Sequence, residues 1–321
     1  MAVYTDVSDE ALARFLAAYD VGEATAFKGI AEGVENSNYL LDTTGPDGEG
    51  ARYILTLYEQ RVAASDLPFF VGLMDHLAAR GFACPQPVRR SDGDALGELQ
   101  GRPAAMVTFL QGTWSAQTDE SRMRQVGETA ARMHLLAADF ATPRKNALDR
   151  DGWPPLAERA GARADEVEPG LAALIPDELA WLDGNMPSGL PWGTVHADLF
   201  PDNVFFLGER LSGVIDFYFA CNEQLVWELA VAINAWCFDA ANNFLPGHAA
   251  ALLEGYDAVR ALEPAEREAL PVLCRGAALR FLLTRTVDWL NVPPGALVRP
   301  HDPKVFSARL RHFRTAMGAA S

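Results

Sequence analysis

The sequence predicts an α+β fold in two lobes, a small antiparallel sheet first and a mostly helical lobe after it. Three observations predict this. Strand-like runs at 25–30, 38–43 and 53–58 crowd the first sixty residues, and the cluster Gly45-Pro46-Asp47-Gly48 is a turn signal between the last two. From Asp119 onward most apolar residues recur at helical spacing. That helical stretch is interrupted by two short apolar runs, Val204-Phe205-Phe206 and Val214-Ile215, around a Gly208 turn. The boundary is expected near residue 110, giving lobes of 1–110 and 111–321.

Each element has a local reason. Ser8-Asp9-Glu10 opens a helix with Leu12, Phe15, Leu16 and Tyr19 on one face, its acidic start suiting the positive end of the helix dipole. Ser65 to Arg80 reads as a helix with Ser65 as N-cap, Pro68 in the first turn and Gly81 at the end. Pro85 to Pro87 leads into a strand, Ser91-Asp92-Gly93-Asp94 is a turn, and Ala104 to Leu110 is an apolar strand. Met106 to Gly112 is then the hinge between lobes. Beyond it, helices are expected at 119–140, 156–163, 177–183, 224–238, 246–260, 264–290 and 303–316. Residues 141–190, rich in Pro, Gly and charge, are expected to shape a small-molecule pocket. His134 and Glu228, on apolar helices, read as structural.

The polar residues around the interruption carry the chemistry. His196-Ala197-Asp198-Leu199-Phe200-Pro201-Asp202-Asn203 has the form H-x-D-L-x-x-x-N, and the second apolar run delivers Asp216. This is the spacing of a kinase catalytic loop followed by its metal-binding Asp. Transfer of a γ-phosphoryl group needs in-line positioning, metal ions against the phosphates and an acceptor for the alcohol proton. Asp198 suits the last task as general base. Asn203 and Asp216 offer hard oxygen ligands for Mg²⁺. Ala197 stands where protein kinases carry Arg, and Tyr218 where they carry the Gly of Asp-Phe-Gly. Both departures point to a small-molecule kinase that is always in its working conformation.

At these residues the chain resembles the aminoglycoside phosphotransferase and choline kinase superfamily, with its protein-kinase-like fold. Within it the chain is similar to bacterial type II homoserine kinases. The narrower likeness lies in Glu35-Asn36-Ser37-Asn38-Tyr39, Tyr53-Ile54-Leu55-Thr56-Leu57-Tyr58-Glu59, Asp66-Leu67-Pro68-Phe69-Phe70 and Leu279-Arg280-Phe281. The resemblance implies ATP with Mg²⁺ as cofactors and L-homoserine as the acceptor, in threonine biosynthesis. It places residues 31–38 where a loop covers the phosphates, with Ser37, Asn38 and backbone N–H groups as contacts. It places Thr56 where kinases carry the phosphate-gripping Lys, a substitution the subgroup shares. Lys28 and Arg61 are candidates for the missing positive charge. The backbone around Met106 and Phe109 would meet the adenine edge, with both side chains in the core. A homoserine acceptor carries a carboxylate, which Arg grips with a two-pronged donor fork, so Arg280 and Arg285 are candidates; the alternative is a salt bridge on the lobe surface. Other acceptors of the superfamily, choline, methylthioribose or an aminoglycoside, are the alternatives, as is a nucleotide-binding regulator without catalysis.

Composition narrows the class. Of 321 residues, 49% are hydrophobic, enough for a sizeable core, and the formal charge of −16 argues against nucleic acid and anionic membranes as partners. The four cysteines, Cys84, Cys221, Cys237 and Cys274, form no C-x-x-C pair and read as reduced thiols of a cytoplasmic protein. No export signal and no run long enough to span a bilayer is expected.

Overall fold

A computed structural model describes residues 5–30, 36–59, 62–115, 118–292 and 300–318. The chain forms two compact units: Met1–Gln111 with Gly213–Tyr218, and Gly112–Ser212 with Phe219–Ser321. The segment that carries Asp216 thus belongs to the first unit.

The first unit opens with helix α1 (Asp9–Leu16), whose Ser8 side chain accepts the Ala11 N–H as an N-cap. A five-stranded antiparallel sheet follows: β1 (Glu23–Gly29), β2 (Ser37–Thr44), β3 (Gly50–Leu57), β4 (Leu96–Leu99) and β5 (Arg102–Thr108). The strand order is β1-β2-β3-β5-β4, so β5 pairs with β3 and leaves β4 at the edge. Burial alternates strictly along β2, as period-two side chains on one buried face require. Tyr39, Leu41, Leu55, Leu57 and Met106 from the sheet pack with Leu12, Phe15 and Leu16 of α1 in one core. Helix α2 (Leu67–Ala78) begins two residues later than expected. A 3-10 turn, Ala64–Asp66, precedes it, and Ser65 Oγ donates to Asp66 Oδ1 at 3.4 Å instead of capping the helix.

The second unit is built on α3 (Glu120–Leu136), α4 (Trp153–Ala160), α5 (Ala164–Val167) and α6 (Leu171–Asn185). These are followed by β6 (Trp192–Val195), β7 (Val204–Leu207), β8 (Arg210–Val214), whose last two residues belong to the first unit, and β9 (Cys221–Gln224). The chain closes with α7 (Leu225–Trp236), α8 (Pro246–Val259), α9 (Pro264–Leu290) and α10 (Lys304–Gly318). β7 and β8 form the expected hairpin, and β9 pairs antiparallel with β6. Helices α3 and α8 pack backbone to backbone. A Cβ on Gly127 would stand 2.0 Å from the Leu252 carbonyl oxygen, and one on Gly255 2.0 Å from that of Arg124. Long α9 is tied to α6 by buried Arg275, which forks onto fully buried Glu178; Arg314 of α10 reaches the same carboxylate at 3.1 Å. α6 starts six residues before the expected 177, because Pro176 sits inside it rather than at its start. No helix among the described residues is long and apolar enough to cross a membrane.

Candidate active site

The segment from His196 to Asn203 is a tight loop held by its own backbone and by α7. Phe200 N–H donates to the Asp198 carbonyl at 2.8 Å, and Asn203 N–H to the Phe200 carbonyl at 3.0 Å, closing a 3-10 turn that Pro201 begins. From α7, Glu228 Oε2 accepts the backbone N–H groups of His196 at 2.5 Å and Ala197 at 3.2 Å. Two turns along, Trp236 Nε1 donates to the Leu199 carbonyl at 2.7 Å. Residues eight apart lie on one helix face, so one stripe of α7 carries the loop. Ala197 adopts φ 62°, a left-handed conformation costly for a residue with a Cβ. The expectation that Glu228 is structural holds in that it is fully buried, but what it holds is this loop.

Within the loop Asn203 orients Asp198. Its Nδ2 donates to the Asp198 backbone carbonyl at 2.9 Å and to Asp198 Oδ2 at 3.1 Å. With its amide nitrogen so used, Asn203 keeps its Oδ1, a hard acceptor, for another partner. Oδ1 of Asp198 lies 3.7 Å from a guanidinium nitrogen of Arg280. Arg280 is buried, at 5% exposure, and its Cζ sits 3.8 Å over the Phe281 ring and 5.1 Å over that of Phe219. A salt bridge on the lobe surface, the alternative expectation for Arg280, is therefore corrected: helix α9 turns this face inward. Arg285, also on α9, stacks over Phe306 at 4.5 Å and over Phe200 at 5.9 Å.

The first unit holds Asp216 two residues beyond the end of β8. Val214 N–H donates to the Ala83 carbonyl at 2.9 Å, and Asp216 itself takes φ 63°. Two residues on, Tyr218 is locked in place. Its hydroxyl is 3.2 Å from that of Tyr58, and its ring meets Phe70 edge to face at 5.6 Å. Burial pushes the Tyr218 hydroxyl up to about 12, while its bonds to Tyr58 and Thr56 pull the other way. A side chain thus fills the position where protein kinases carry a glycine.

The remaining predicted residues divide. Asn38 and Thr56 face each other across β2 and β3, and the Thr56 hydroxyl donates to Asn38 Oδ1 at 2.8 Å. That leaves the Asn38 amide N–H groups for an acceptor. Ser37 is fully buried and donates to Glu59 at 2.7 Å, so its hydroxyl is spent on the end of β3. Met106 is committed as well: its side chain is core, it pairs with Leu55, and its carbonyl accepts the Val88 N–H at 2.8 Å. Its carbonyl is thus taken within the first unit. Phe109 is exposed under the Arg52 guanidinium, which corrects the expectation that its side chain is core, and its N–H donates to the Arg52 carbonyl at 3.2 Å. Lys28 lies exposed on edge strand β1. Arg61 and the loop 31–35 lie outside the described residues. Among the described residues no three His, Cys, Asp or Glu side chains gather as a metal site. A Mg²⁺ bound largely through phosphate oxygens asks for only one or two protein oxygens.

Sequence reasoning missed Arg309 of α10. It is buried, its Cζ lies 4.9 Å over the Phe306 ring, and one N–H donates to the Asn234 carbonyl. An Arg three residues after a Phe on an amphipathic helix is the one available signal, and surface arginines share it.

Residues 26–262 match the phosphotransferase enzyme family. The chain is 59% identical over 319 residues, 99% of its own length and 98% of the relative's, to a homoserine kinase of Methylobacterium radiotolerans. It is 56% identical over 319 residues, 99% and 98% of the two lengths, to a homoserine kinase of Azorhizobium caulinodans. Among solved structures it is similar to a microcompartment-associated aminopropanol kinase, with a TM-score of 0.72 at 18% identity, covering 97% of this chain and 98% of that one.

Proposed function

The chain belongs to the phosphotransferase enzyme family, and from that premise we propose that it is a homoserine kinase, transferring the γ-phosphoryl group of ATP to the side-chain hydroxyl of L-homoserine. The observation that carries the acceptor is likeness at 59% identity over the whole length of a homoserine kinase. Fold alone would leave choline, methylthioribose and aminoglycosides equal candidates. The product, O-phospho-L-homoserine, suits threonine biosynthesis, and four free, buried cysteines suit the cytoplasm.

The residues take these roles. Asp198 accepts the hydroxyl proton as the acceptor oxygen bonds to the γ-phosphorus; the bond to the bridging oxygen breaks and ADP leaves with its electron pair. Asn203 keeps the Asp198 carboxylate aimed through its Nδ2 and offers Oδ1 to Mg²⁺. Asp216 offers a carboxylate to Mg²⁺. Bound Mg²⁺ would supply neutralisation of phosphate charge. Asn38 and Thr56 on the sheet, and the backbone near Phe109, are the groups proposed to meet the nucleotide. Arg280 and Arg285 of α9 are proposed to serve the acceptor side.

A coupled assay of ADP release with Mg-ATP tests the reading against homoserine, serine, choline, methylthioribose and an aminoglycoside. Turnover with homoserine and not the others is expected. Turnover with another acceptor alone would replace the substrate, and ATP binding without any turnover would favour a regulator.

A further inference from the structure

We infer that Arg285 and Arg309 together form a clamp for the carboxylate of the acceptor, while Arg280 serves Asp198. The inference deepens the homoserine reading and rests on it. The two candidates on α9 are not equivalent. Arg280 lies 3.7 Å from the Asp198 carboxylate, so its charge is already answered. Arg285 makes no hydrogen bond and no ion pair among the described residues; only the rings of Phe200 and Phe306 meet it. Burial pushes its guanidinium down to about 10, with Asp198 acting against that and Arg280 adding to it.

Arg309 comes to the same place from α10. Its Cζ lies 4.9 Å over the Phe306 ring, which Arg285 covers at 4.5 Å. It gives one N–H to the Asn234 carbonyl, but its buried Nε has no hydrogen-bond partner. Burial, and then the charge of Arg285, push it down to about 10. Two guanidinium groups therefore share one ring, repel each other and have no paired anion among the described residues. Arg309 is buried and Arg285 half-buried, and charges drawn out of water in this way are ordinarily paired, because a fully buried uncompensated one costs several kcal/mol. The carboxylates that act on Arg285, Asp198, Asp202 and Asp302, do so at a distance, since none makes an ion pair with it. A small ligand carboxylate would complete the set, held by the planar donor forks that Arg presents.

The position suits the chemistry. Phe200, under Arg285, lies two residues after Asp198 in the same tight loop. In homoserine three carbons separate the carboxyl carbon from the reacting hydroxyl oxygen. An anion site one ring away from the proton acceptor would set the substrate's reach and reject alcohols that lack the carboxylate.

The test uses the intact chain with two acceptors: L-homoserine, and the amino alcohol in which hydrogen replaces its carboxylate. Arg285→Met and Arg309→Met are each expected to raise KM for homoserine by at least ~10-fold, the loss of one charged hydrogen-bonding partner. KM for ATP, and kcat/KM for the carboxylate-free amino alcohol, should stay within about twofold. Those two controls also report that each variant is folded. Arg285→Lys should fall between wild type and Arg285→Met, because it keeps the charge and loses the fork. Unchanged KM for homoserine in both Met variants would overturn the clamp. So would an equal loss for both acceptors. If a Met variant also loses ATP use, the Lys variant at that position decides: a homoserine KM equal to wild type overturns the clamp there. Wild-type protein that fails to phosphorylate homoserine at all would instead overturn the functional reading, before any variant is made.

Discussion

The carboxylate of Glu228 accepts the backbone N–H of Ala197 at 3.2 Å, and Ala197 is one of four non-glycine residues with positive φ among those described. The same oxygen takes the N–H of His196. A fully buried side chain on α7 thus offsets the strain of the loop that carries Asp198. Glu228→Ala would leave two buried N–H groups without an acceptor, at ~1–3 kcal/mol each. Urea denaturation should show a loss of roughly 2–6 kcal/mol, with kcat reduced in the fraction that stays folded. Stability within 0.5 kcal/mol, the ordinary range for a neutral surface change, would remove Glu228 from this role.

Glu228 also gives a pH dependence. Burial pushes its carboxyl up, but the His134 ring 3.8 Å away, His196 and the Ala197 N–H outweigh that and hold it below its ordinary 4.5. A carboxyl whose folded pKa is depressed binds fewer protons when folded. Its contribution is complete above 4.5 and is lost as pH falls through the folded value. Wild-type protein should therefore lose stability below about pH 4.5 more steeply than Glu228→Gln, which cannot titrate. Parallel acid limbs in the two denaturation series would contradict this.

Asp198 and Asn203 should separate in kinetics. Asp198→Asn removes the proton acceptor and keeps the shape, so kcat should fall by at least ~10²-fold with KM for ATP nearly unchanged. Asn203→Ala removes both the bond to Asp198 Oδ2 and the side-chain Oδ1. It should lower kcat and also raise the Mg²⁺ concentration needed for half-maximal rate. An unchanged Mg²⁺ requirement would assign Asn203 to orientation of Asp198 alone.

Much of this was legible in the sequence, for local reasons. The strand at β2, the helix start at Ser8 and the Gly208 hairpin are each set by residues within a few positions. The pairing of β5 with β3 rather than β4 at that place, and of β9 with β6, depends on partners far along the chain, which periodicity does not specify. Ser37 read as a phosphate contact from the loop before it and Met106 from its place in the hinge; the partners that take the Ser37 hydroxyl and the Met106 carbonyl, Glu59 and Val88, lie far from them in sequence. Arg309 was illegible because its meaning lies in Phe306 and Arg285, on a helix face shared between α9 and α10.

Tyr218 should act as core and not as a hinge. Tyr218→Phe removes the hydroxyl that meets Tyr58, at 3.2 Å, and Thr56, and is expected to cost ~1 kcal/mol. Tyr218→Gly, which restores the residue of protein kinases, empties the space against Phe70 and is expected to cost ~3–5 kcal/mol. It should also weaken use of Mg-ATP, because Asp216, at φ 63°, loses the anchor two residues away. A glycine variant as stable as wild type would show that the aromatic contact does not support this turn.

The cysteines give a probe of each unit. Cys84, Cys221 and Cys237 are buried and free, and burial pushes each thiol up to about 12. Cys274 is raised by the same cause. The thiolate is the reactive form, so at pH 8 a thiol reagent should find almost none in the native chain. In guanidinium all four should react. Cys84 lies in the first unit and the other three in the second. At intermediate denaturant, one thiol reacting ahead of three would mean that the sheet unit opens first. Three ahead of one would mean the helical unit does, and four together would mean the units unfold as one cooperative block. Fast reaction of any cysteine without denaturant would contradict its burial.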